Sequence, residues 1–225
     1  VVDYRKHRVL TFNSVFEQSK IDRRFPYLPV HEYNRAMMLP AVFANPRHVT
    51  ILGLGGGVMA GAFHHLFPEC QIHAVELRQA VLDTAREFFD LPDSERLEVT
   101  IADARDALEK LPEASTDMIL ADLYNADRMS PAQAQKQFVD ECARVLTDDG
   151  WLVLNYHRTP DVEGAYFRRL KRHFAVLLGF RSKSNNTVVY ASKQHFQSVY
   201  PKDPVLAELE NRLPIDWRRL MAKVS

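Results

Sequence analysis

The sequence predicts a doubly wound α/β fold, and three observations support this prediction. From residue 49 onward, short apolar segments alternate with segments of helical periodicity. Glycines cluster directly after the first apolar segment, and an acidic residue ends the second. Short strands that are apolar on both faces are typical of a parallel sheet that helices cover on both sides.

The N-terminal 30 residues predict a small β unit ahead of this sheet. Segments 8–12 and 15–19 alternate between apolar and polar residues and flank a turn-forming Asn-Ser pair. A helix is expected at 32–43, before the first strand of the main sheet begins.

The main sheet is predicted to hold five parallel strands joined by helices. The expected strands are residues 49–54, 71–75, 97–101, 117–121 and 151–155. The expected helices between them are residues 58–67, 78–89, 103–111 and 131–146.

The pattern changes after the fifth predicted strand. A helix at 162–174 is followed by apolar segments at 175–178 and 187–191, and the turn-rich stretch between these two predicts an antiparallel hairpin. Five parallel strands with a terminal hairpin are the layout of the Rossmann-like, class I methyltransferase-type folds. We therefore divide the chain into three parts: an N-terminal β unit at 1–30, a nucleoside-binding catalytic domain at 31–200 and a helical tail at 201–225.

A glycine-rich loop after the first strand and an acid after the second predict a nucleoside site. Successive glycines between a strand and a helix cost backbone entropy, so their presence favours close approach of a ligand to the backbone. Glu76 lies 19 residues after the last of these glycines, where a carboxylate can accept hydrogen bonds from both ribose hydroxyls. The loop glycines are Gly53, Gly55, Gly56 and Gly57.

Acids also follow the third and fourth predicted strands. Asp103 can accept a hydrogen bond from an adenine amino group while the backbone amide of Ala104 donates to the ring, and Asp103 can also cap the next helix. Asp122 is a candidate for holding a cationic substrate, with a plain surface acid as the alternative. Tyr124 can stack on the ligand, hydrogen-bond a substrate amine or cover the core.

The amino-acid composition indicates which binding partners and which cellular location to expect. The chain carries 29 basic and 29 acidic residues, and this balance argues against nucleic acid as the main partner. Cys70 and Cys142 lack ligand spacing and predict buried thiols in a reducing cytoplasm. No apolar run approaches the ~18–20 residues needed to span a membrane, and the histidines show no metal-ligand spacing. We expect a cytoplasmic protein without a metal site.

A set of motifs falls in one order along residues 8–191. These are Arg8-Val9-Leu10, Gln18-Ser19, the segment from Glu32 to Met38, the glycine loop, Val75-Glu76, Asp103-Ala104 and Asp122. This order resembles the spermidine synthase (polyamine aminopropyltransferase) family, and most of all its shorter bacterial spermidine-synthase-like branch. The N-terminal β unit and the helix with Tyr33, Arg35 and Met38 are more specific than the glycine loop, which many methyltransferases share.

The resemblance implies a definite chemistry. Decarboxylated S-adenosylmethionine donates its aminopropyl group to a small-molecule amine such as putrescine, and methylthioadenosine is released. By matching position, Gln18 would contact the nucleoside, Glu76 the ribose and Asp103 the adenine. Asp122 would be an acid of the active-site loop. The family also implies a homodimer.

Two positions depart from the family pattern. The family's loop typically reads Gly-Gly-Gly-Asp-Gly-Gly, whereas Val58 stands here at the acidic position. The family's Asp-x-x-Asp ends in the base, but here that position is Asn125, which cannot accept a proton at neutral pH. Asp122, Tyr124 and Asn125 are thus the predicted catalytic positions. The acids that could substitute for the lost ones are Glu17, Glu32 and Asp127.

Three functions remain open from the sequence. The first is an aminopropyltransferase, with a changed amine substrate as one possibility. The second is a methyltransferase that uses intact S-adenosylmethionine, because Val58 removes a carboxylate that would repel the donor's own carboxylate. The third is a non-catalytic homologue that binds a nucleoside or assembles with a partner.

Overall fold

The computed structural model describes residues 1–12, 17–123, 136–157, 160–195 and 204–225. These residues form a four-stranded N-terminal sheet and a seven-stranded main sheet with helices on both of its faces. The predicted fold class is confirmed.

The N-terminal sheet is antiparallel with its strands in chain order. The predicted pairing of segments 8–12 and 15–19 is confirmed by the register of Leu10 opposite Ser19, while the turn between these strands lies outside the described residues. The sequence did not predict the two outer strands, because one is exposed throughout and the other contains two prolines, which are tolerated at a sheet edge. The strands are β1 Val2–Tyr4, β2 His7–Thr11, β3 Glu17–Asp22 and β4 Phe25–Pro29.

The single helix predicted for 32–43 is two helices, α1 Glu32–Met37 and α2 Leu39–Ala44. The break follows from Pro40, which has no N–H to donate to the carbonyl of Ala36, four residues before it. The hydroxyl of Tyr190 donates to this carbonyl instead, at 2.9 Å. A contact between residues far apart in the chain thus satisfies the acceptor that the proline leaves open.

The main sheet has the order β10-β11-β9-β8-β5-β6-β7. Strands β5 to β9 are parallel, and β11 runs antiparallel to both β9 and β10. β9 begins at Leu146, earlier than predicted, with a register irregularity against β8. The strands are β5 His48–Leu52, β6 Gln71–Glu76, β7 Leu97–Ile101, β8 Thr116–Ala121, β9 Leu146–Tyr156, β10 Val176–Arg181 and β11 Thr187–Ser192.

Helices cover the two faces of this sheet with separate hydrophobic cores. One core contains residues of α1 to α4 and of the two C-terminal helices, and the other contains residues of α5 to α7. Residues 131–135 of the predicted fourth helix lie outside the described residues. The remaining helices are α3 Val58–Leu66, α4 Gln79–Phe88, α5 Ala104–Lys110, α6 Lys136–Val145, α7 Ala165–His173, α8 Pro204–Arg212 and α9 Trp217–Met221.

The C-terminal tail packs into the first core and meets the sheet at its edge. Leu206 and Trp217 are fully buried. Ser225 exchanges two backbone hydrogen bonds with Gly179 of β10, at 2.8 and 3.0 Å. The tail therefore occupies part of the backbone edge that β10 would otherwise expose. Within the described residues, every helix is too short or too polar to cross a bilayer.

Candidate active site

A cleft of about 540 Å³ opens at the carboxyl ends of the parallel strands. The chain passes from β5 outward to β6 and β7, then returns to β8 on the other side of β5, so the strand order reverses here. Such a reversal leaves a crevice in which α/β proteins bind their ligands. Residues of β3 and α1 line the cleft from the N-terminal side. In the described ranges, no three His, Cys, Asp or Glu side chains are grouped to hold a metal ion.

The glycine loop forms one wall of the cleft. Gly53 and Gly55 line it, with φ angles of 93° and 53°. A Cβ atom at Gly53 would lie 2.4 Å from the backbone oxygen of Asp122, so the close approach of these two strand ends requires glycine. Gly56 and Gly57 lie farther back, where a Cβ would meet Phe89 and Leu91 respectively.

A serine of the N-terminal sheet fixes the loop. The hydroxyl oxygen of Ser19 accepts a hydrogen bond from the backbone N–H of Gly56 at 2.8 Å, and Ser19 is buried. The neighbouring Gln18 lines the cleft. The N-terminal sheet therefore contributes both to the shape of the loop and to the cleft wall.

The carboxylate of Glu76 is held before any ligand arrives. Its Oε2 accepts from the backbone N–H of Leu54 at 3.1 Å, and its Oε1 accepts from that of Arg78 at 3.1 Å. Glu76 is buried and lines the cleft. Since each carboxylate oxygen has two acceptor sites, both oxygens retain capacity for the hydroxyls of a ligand.

Asp103 caps helix α5 and also lines the cleft together with Ala104. It accepts from the backbone N–H of Arg105 at 2.9 Å and from Nε of the same residue at 3.2 Å. Burial opposes the ionised form, but these hydrogen bonds keep the pKa of Asp103 below its ordinary value. The capping role expected from the sequence is thus present, at a position that faces the cleft.

Asp122 follows β8 and lies in the cleft beside Asn155. Its Oδ1 accepts from Nδ2 of Asn155 at 2.8 Å. Burial raises the pKa of Asp122 to about 6, and the hydrogen bond from Asn155 offsets part of this rise. A carboxylate with this pKa is ionised at neutral pH and still basic enough to accept a proton.

Comparisons with known proteins identify the family of this chain. The spermine/spermidine synthase domain matches residues 30–193. The chain belongs to the spermine/spermidine synthase family. It is 28% identical over 222 residues to the polyamine aminopropyltransferase of Neisseria meningitidis serogroup A, covering 96% of this chain and 84% of that protein. As a spermine/spermidine synthase family member, the chain is an enzyme of the transferase class.

Two solved structures share the fold of this family member. A probable spermidine synthase from Corynebacterium glutamicum superposes with a TM-score of 0.76 at 23% identity, covering 92% of this chain and 79% of that one. Human methyltransferase-like protein 13 in complex with SAH superposes with a TM-score of 0.65 at 25% identity, covering 84% and 92%. The resemblance to spermidine synthases and the methyltransferase-type fold are both confirmed.

Val58 serves a packing role in this family member as well as lining the cleft. It is buried and belongs to a small apolar cluster with Leu10, Ile21 and Phe89. These partners come from the N-terminal sheet and from the residue after helix α4. The position that is acidic in the family pattern therefore helps to join the N-terminal sheet to the glycine loop.

The alternative acids named from the sequence have different surroundings. Glu17 lines the cleft, but its carboxylate pairs with Lys20 at 3.0 Å. Glu32 does not serve the cleft, because it binds Nζ of Lys223 at 2.5 Å and the backbone N–H of Lys183 at 2.7 Å. It joins helix α1 to the C-terminal tail instead. Tyr124, Asn125 and Asp127 lie outside the described residues.

Sequence reasoning missed several polar residues in the cleft wall. His31 stacks on Tyr33 with ring centroids 5.6 Å apart, and its Nε2 lies 3.7 Å from Oε2 of Glu17. Burial lowers the pKa of His31, and Glu17 opposes this. Asn155 and Asn186 are almost fully buried, and Asn186 hydrogen-bonds Asn155, which in turn hydrogen-bonds Asp122. The available sequence signal was a polar residue at the end of the apolar strand predicted for 151–155, and this residue is Asn155.

Proposed function

We propose that the protein transfers the aminopropyl group of decarboxylated S-adenosylmethionine to a small-molecule amine in polyamine biosynthesis. The observation that carries this proposal is the placement of Glu76, Asp103 and Asp122 at the carboxyl ends of three strands around a single cleft. Membership of the spermine/spermidine synthase family and the polyamine aminopropyltransferase relatives support it.

The size and lining of the cleft support the binding of a nucleoside. Its volume of about 540 Å³ is within the ~300–1,000 Å³ common for small-molecule sites. The glycine at position 53 allows the backbone to pass close to the ligand. We assign Glu76 to the ribose hydroxyls, Asp103 and the amide of Ala104 to the adenine, and Gln18 to a contact with the nucleoside.

The chain's remaining task in the transfer is to align the amine and accept its proton. The amine nitrogen forms a bond to the carbon beside the sulfonium, the carbon–sulfur bond breaks, and its electron pair remains on the sulfur of methylthioadenosine. The nitrogen loses one proton. We assign this proton to Asp122, because its pKa of about 6 suits a general base and Asn125 cannot accept a proton.

Methyl transfer from intact S-adenosylmethionine is the second candidate. Val58 favours it, because an apolar side chain at this point of the cleft does not repel the donor's carboxylate. The similarity to human methyltransferase-like protein 13, which was solved with SAH, favours it as well. The two candidates differ in whether the bound donor carries a carboxylate.

A thermal-shift comparison of four ligands distinguishes the candidates. A ligand at roughly 100 times its Kd adds about 2.7 kcal/mol to the free energy of unfolding. We expect decarboxylated S-adenosylmethionine and methylthioadenosine to raise Tm more than S-adenosylmethionine and S-adenosylhomocysteine. The opposite preference would favour methyl transfer, and no shift with any ligand would remove the nucleoside site.

The variants Val58→Asp and Val58→Asn form a matched pair for the same measurement. Both lose the apolar packing of Val58, so their difference isolates the charge. We expect Val58→Asp to favour the decarboxylated donor by about tenfold relative to Val58→Asn, because the new carboxylate attracts the donor's ammonium and repels a donor carboxylate. Equal preference in the two variants would place the donor's tail away from residue 58.

A further inference from the structure

A row of side-chain hydrogen bonds runs from the turn between β10 and β11 to Asp122. Oγ of Ser184 donates to Oδ1 of Asn186 at 2.9 Å. Nδ2 of Asn186 donates to Oδ1 of Asn155 at 3.1 Å, and Nδ2 of Asn155 donates to Oδ1 of Asp122 at 2.8 Å. Ser182 extends the row, with its Oγ 2.9 Å from that of Ser184. We call Ser182, Ser184, Asn186 and Asn155 the amide row.

The carboxylate sets the direction of every bond in the amide row. An ionised carboxylate only accepts, so Asn155 must present its NH2 group to Asp122. Its carbonyl oxygen then faces Asn186, which must present its own NH2 group. The carbonyl oxygen of Asn186 in turn faces Ser184, whose hydroxyl must donate. All donors therefore point towards Asp122.

Because the two asparagines of the amide row are buried, breaking their hydrogen bonds would cost free energy. Asn155 is 1% exposed and Asn186 is 3% exposed, so water cannot replace their partners without local opening. The turn also has bonds of its own, because the backbone N–H of Ser182 donates to the carbonyl of Asn186 at 2.8 Å and that of Asn186 donates to Oγ of Ser182 at 3.1 Å. The turn does not depend on the Asn186 side chain alone.

We propose that the amide row positions Asp122: it supplies an oriented N–H to Oδ1, favours the ionised carboxylate and leaves Oδ2 for the substrate. Asn155 and Asn186 are thus positioning residues that act through Asp122. The consequence for catalysis rests on the proposed function, whereas the effect on the carboxylate itself does not.

Within the described part of the chain, Asn155 is the side chain that hydrogen-bonds Asp122. Burial of Asp122 disfavours its ionised form, and the hydrogen bond from Asn155 opposes this effect of burial. The other titratable groups that line the cleft are Glu17, His31, Tyr33, Glu76, Arg78, Asp103 and His157.

The experiment is a carboxyl ¹³C NMR titration of Asp122 in the ligand-free protein. In Asn186→Leu we expect the midpoint to rise by roughly one pH unit, because Asn155 loses the partner that orients it. Ser184→Ala, an exposed site that leaves the core unchanged, should give a smaller rise in the same direction. Asn185→Gly is the control, because its φ of 65° suits glycine and its side chain is outside the row.

The sign of the shift separates positioning from a purely structural role. If the row only held the turn in place, its loss would hydrate Asp122 and lower the midpoint towards that of an exposed Asp. A fall or an unchanged midpoint in both Asn186→Leu and Ser184→Ala would overturn the proposal. The acidic limb of the pH–rate profile should move upward with the midpoint. A moved midpoint without any aminopropyl transfer would instead count against the proposed function alone.

Discussion

Asp122→Asn is expected to lower the rate of aminopropyl transfer by about a hundredfold or more and to stabilise the ligand-free protein at neutral pH. The loss of rate follows from removing the group that accepts the amine proton, a role worth about 10²–10⁴ in rate. Nucleoside binding should persist, because Glu76 and Asp103 are unchanged. The rate is measured with decarboxylated S-adenosylmethionine and an amine panel.

The gain in stability follows from the raised pKa of Asp122. Its pKa is about 6 in the folded protein against 3.8 ordinarily, so the unfolded chain releases this proton first as the pH rises. Stability is therefore lost between about pH 4 and pH 6, and the penalty is complete above pH 6. The shift corresponds to at most ~3 kcal/mol, which partial exposure to solvent reduces to about 1–2 kcal/mol. Asn at this position avoids the penalty.

Urea denaturation across this pH range tests the expectation. The difference between Asp122→Asn and the unsubstituted protein should be close to zero near pH 4 and reach its full size near pH 7. Asp103→Asn provides a control of opposite sign. Because the pKa of Asp103 is lowered in the folded protein, its ionised carboxylate stabilises the fold at pH values above the ordinary pKa of Asp, and the substitution removes this stabilisation. A stability difference independent of pH, or activity within a few-fold of the original, would contradict the role given to Asp122.

Gly53→Ala is expected to destroy the nucleoside site and to destabilise the fold by about 3 kcal/mol. The left-handed φ of 93° costs about 1–2 kcal/mol for a residue with a side chain. The new Cβ would also lie 2.4 Å from the backbone oxygen of Asp122, which cannot move without shifting the strand end, at a further ~1–3 kcal/mol. Thermal denaturation and the four-ligand shift measure both effects.

Two other glycines provide matched controls for this substitution. Gly57→Ala also has a positive φ, but its Cβ would meet the flexible tip of Leu91, so we expect a smaller loss. Gly61→Ala lies inside α3 with its nearest contact at 4.0 Å, so we expect a gain of about 0.5–1 kcal/mol. If Gly53→Ala were as stable as Gly57→Ala, the close contact with the backbone of Asp122 would not be the reason that position 53 requires glycine.

Local sequence patterns were sufficient to predict the main sheet and the acidic side of the cleft. Periodicity located the parallel strands. Glu76 is the last residue of one of them, and Asp103 and Asp122 lie within two residues of the ends of two others. Because parallel strands end at one edge of the sheet, local patterns were enough to place these three acids together. The glycine loop could also be predicted from the sequence, because its glycines lie within a few residues of one another.

The groups that support these residues come from distant parts of the chain, and their identity follows from the packing of the fold. Ser19 reaches the loop at Gly56, and the pairing of Asn155 with Val188 across β9 and β11 brings the turn that carries Asn186 to Asp122. The break after Met37 likewise places the carbonyl of Ala36 against Tyr190. Such contacts depend on strand order and register, and local periodicity carries no information about either. The sequence therefore located the acids, whereas packing determined which polar groups orient them.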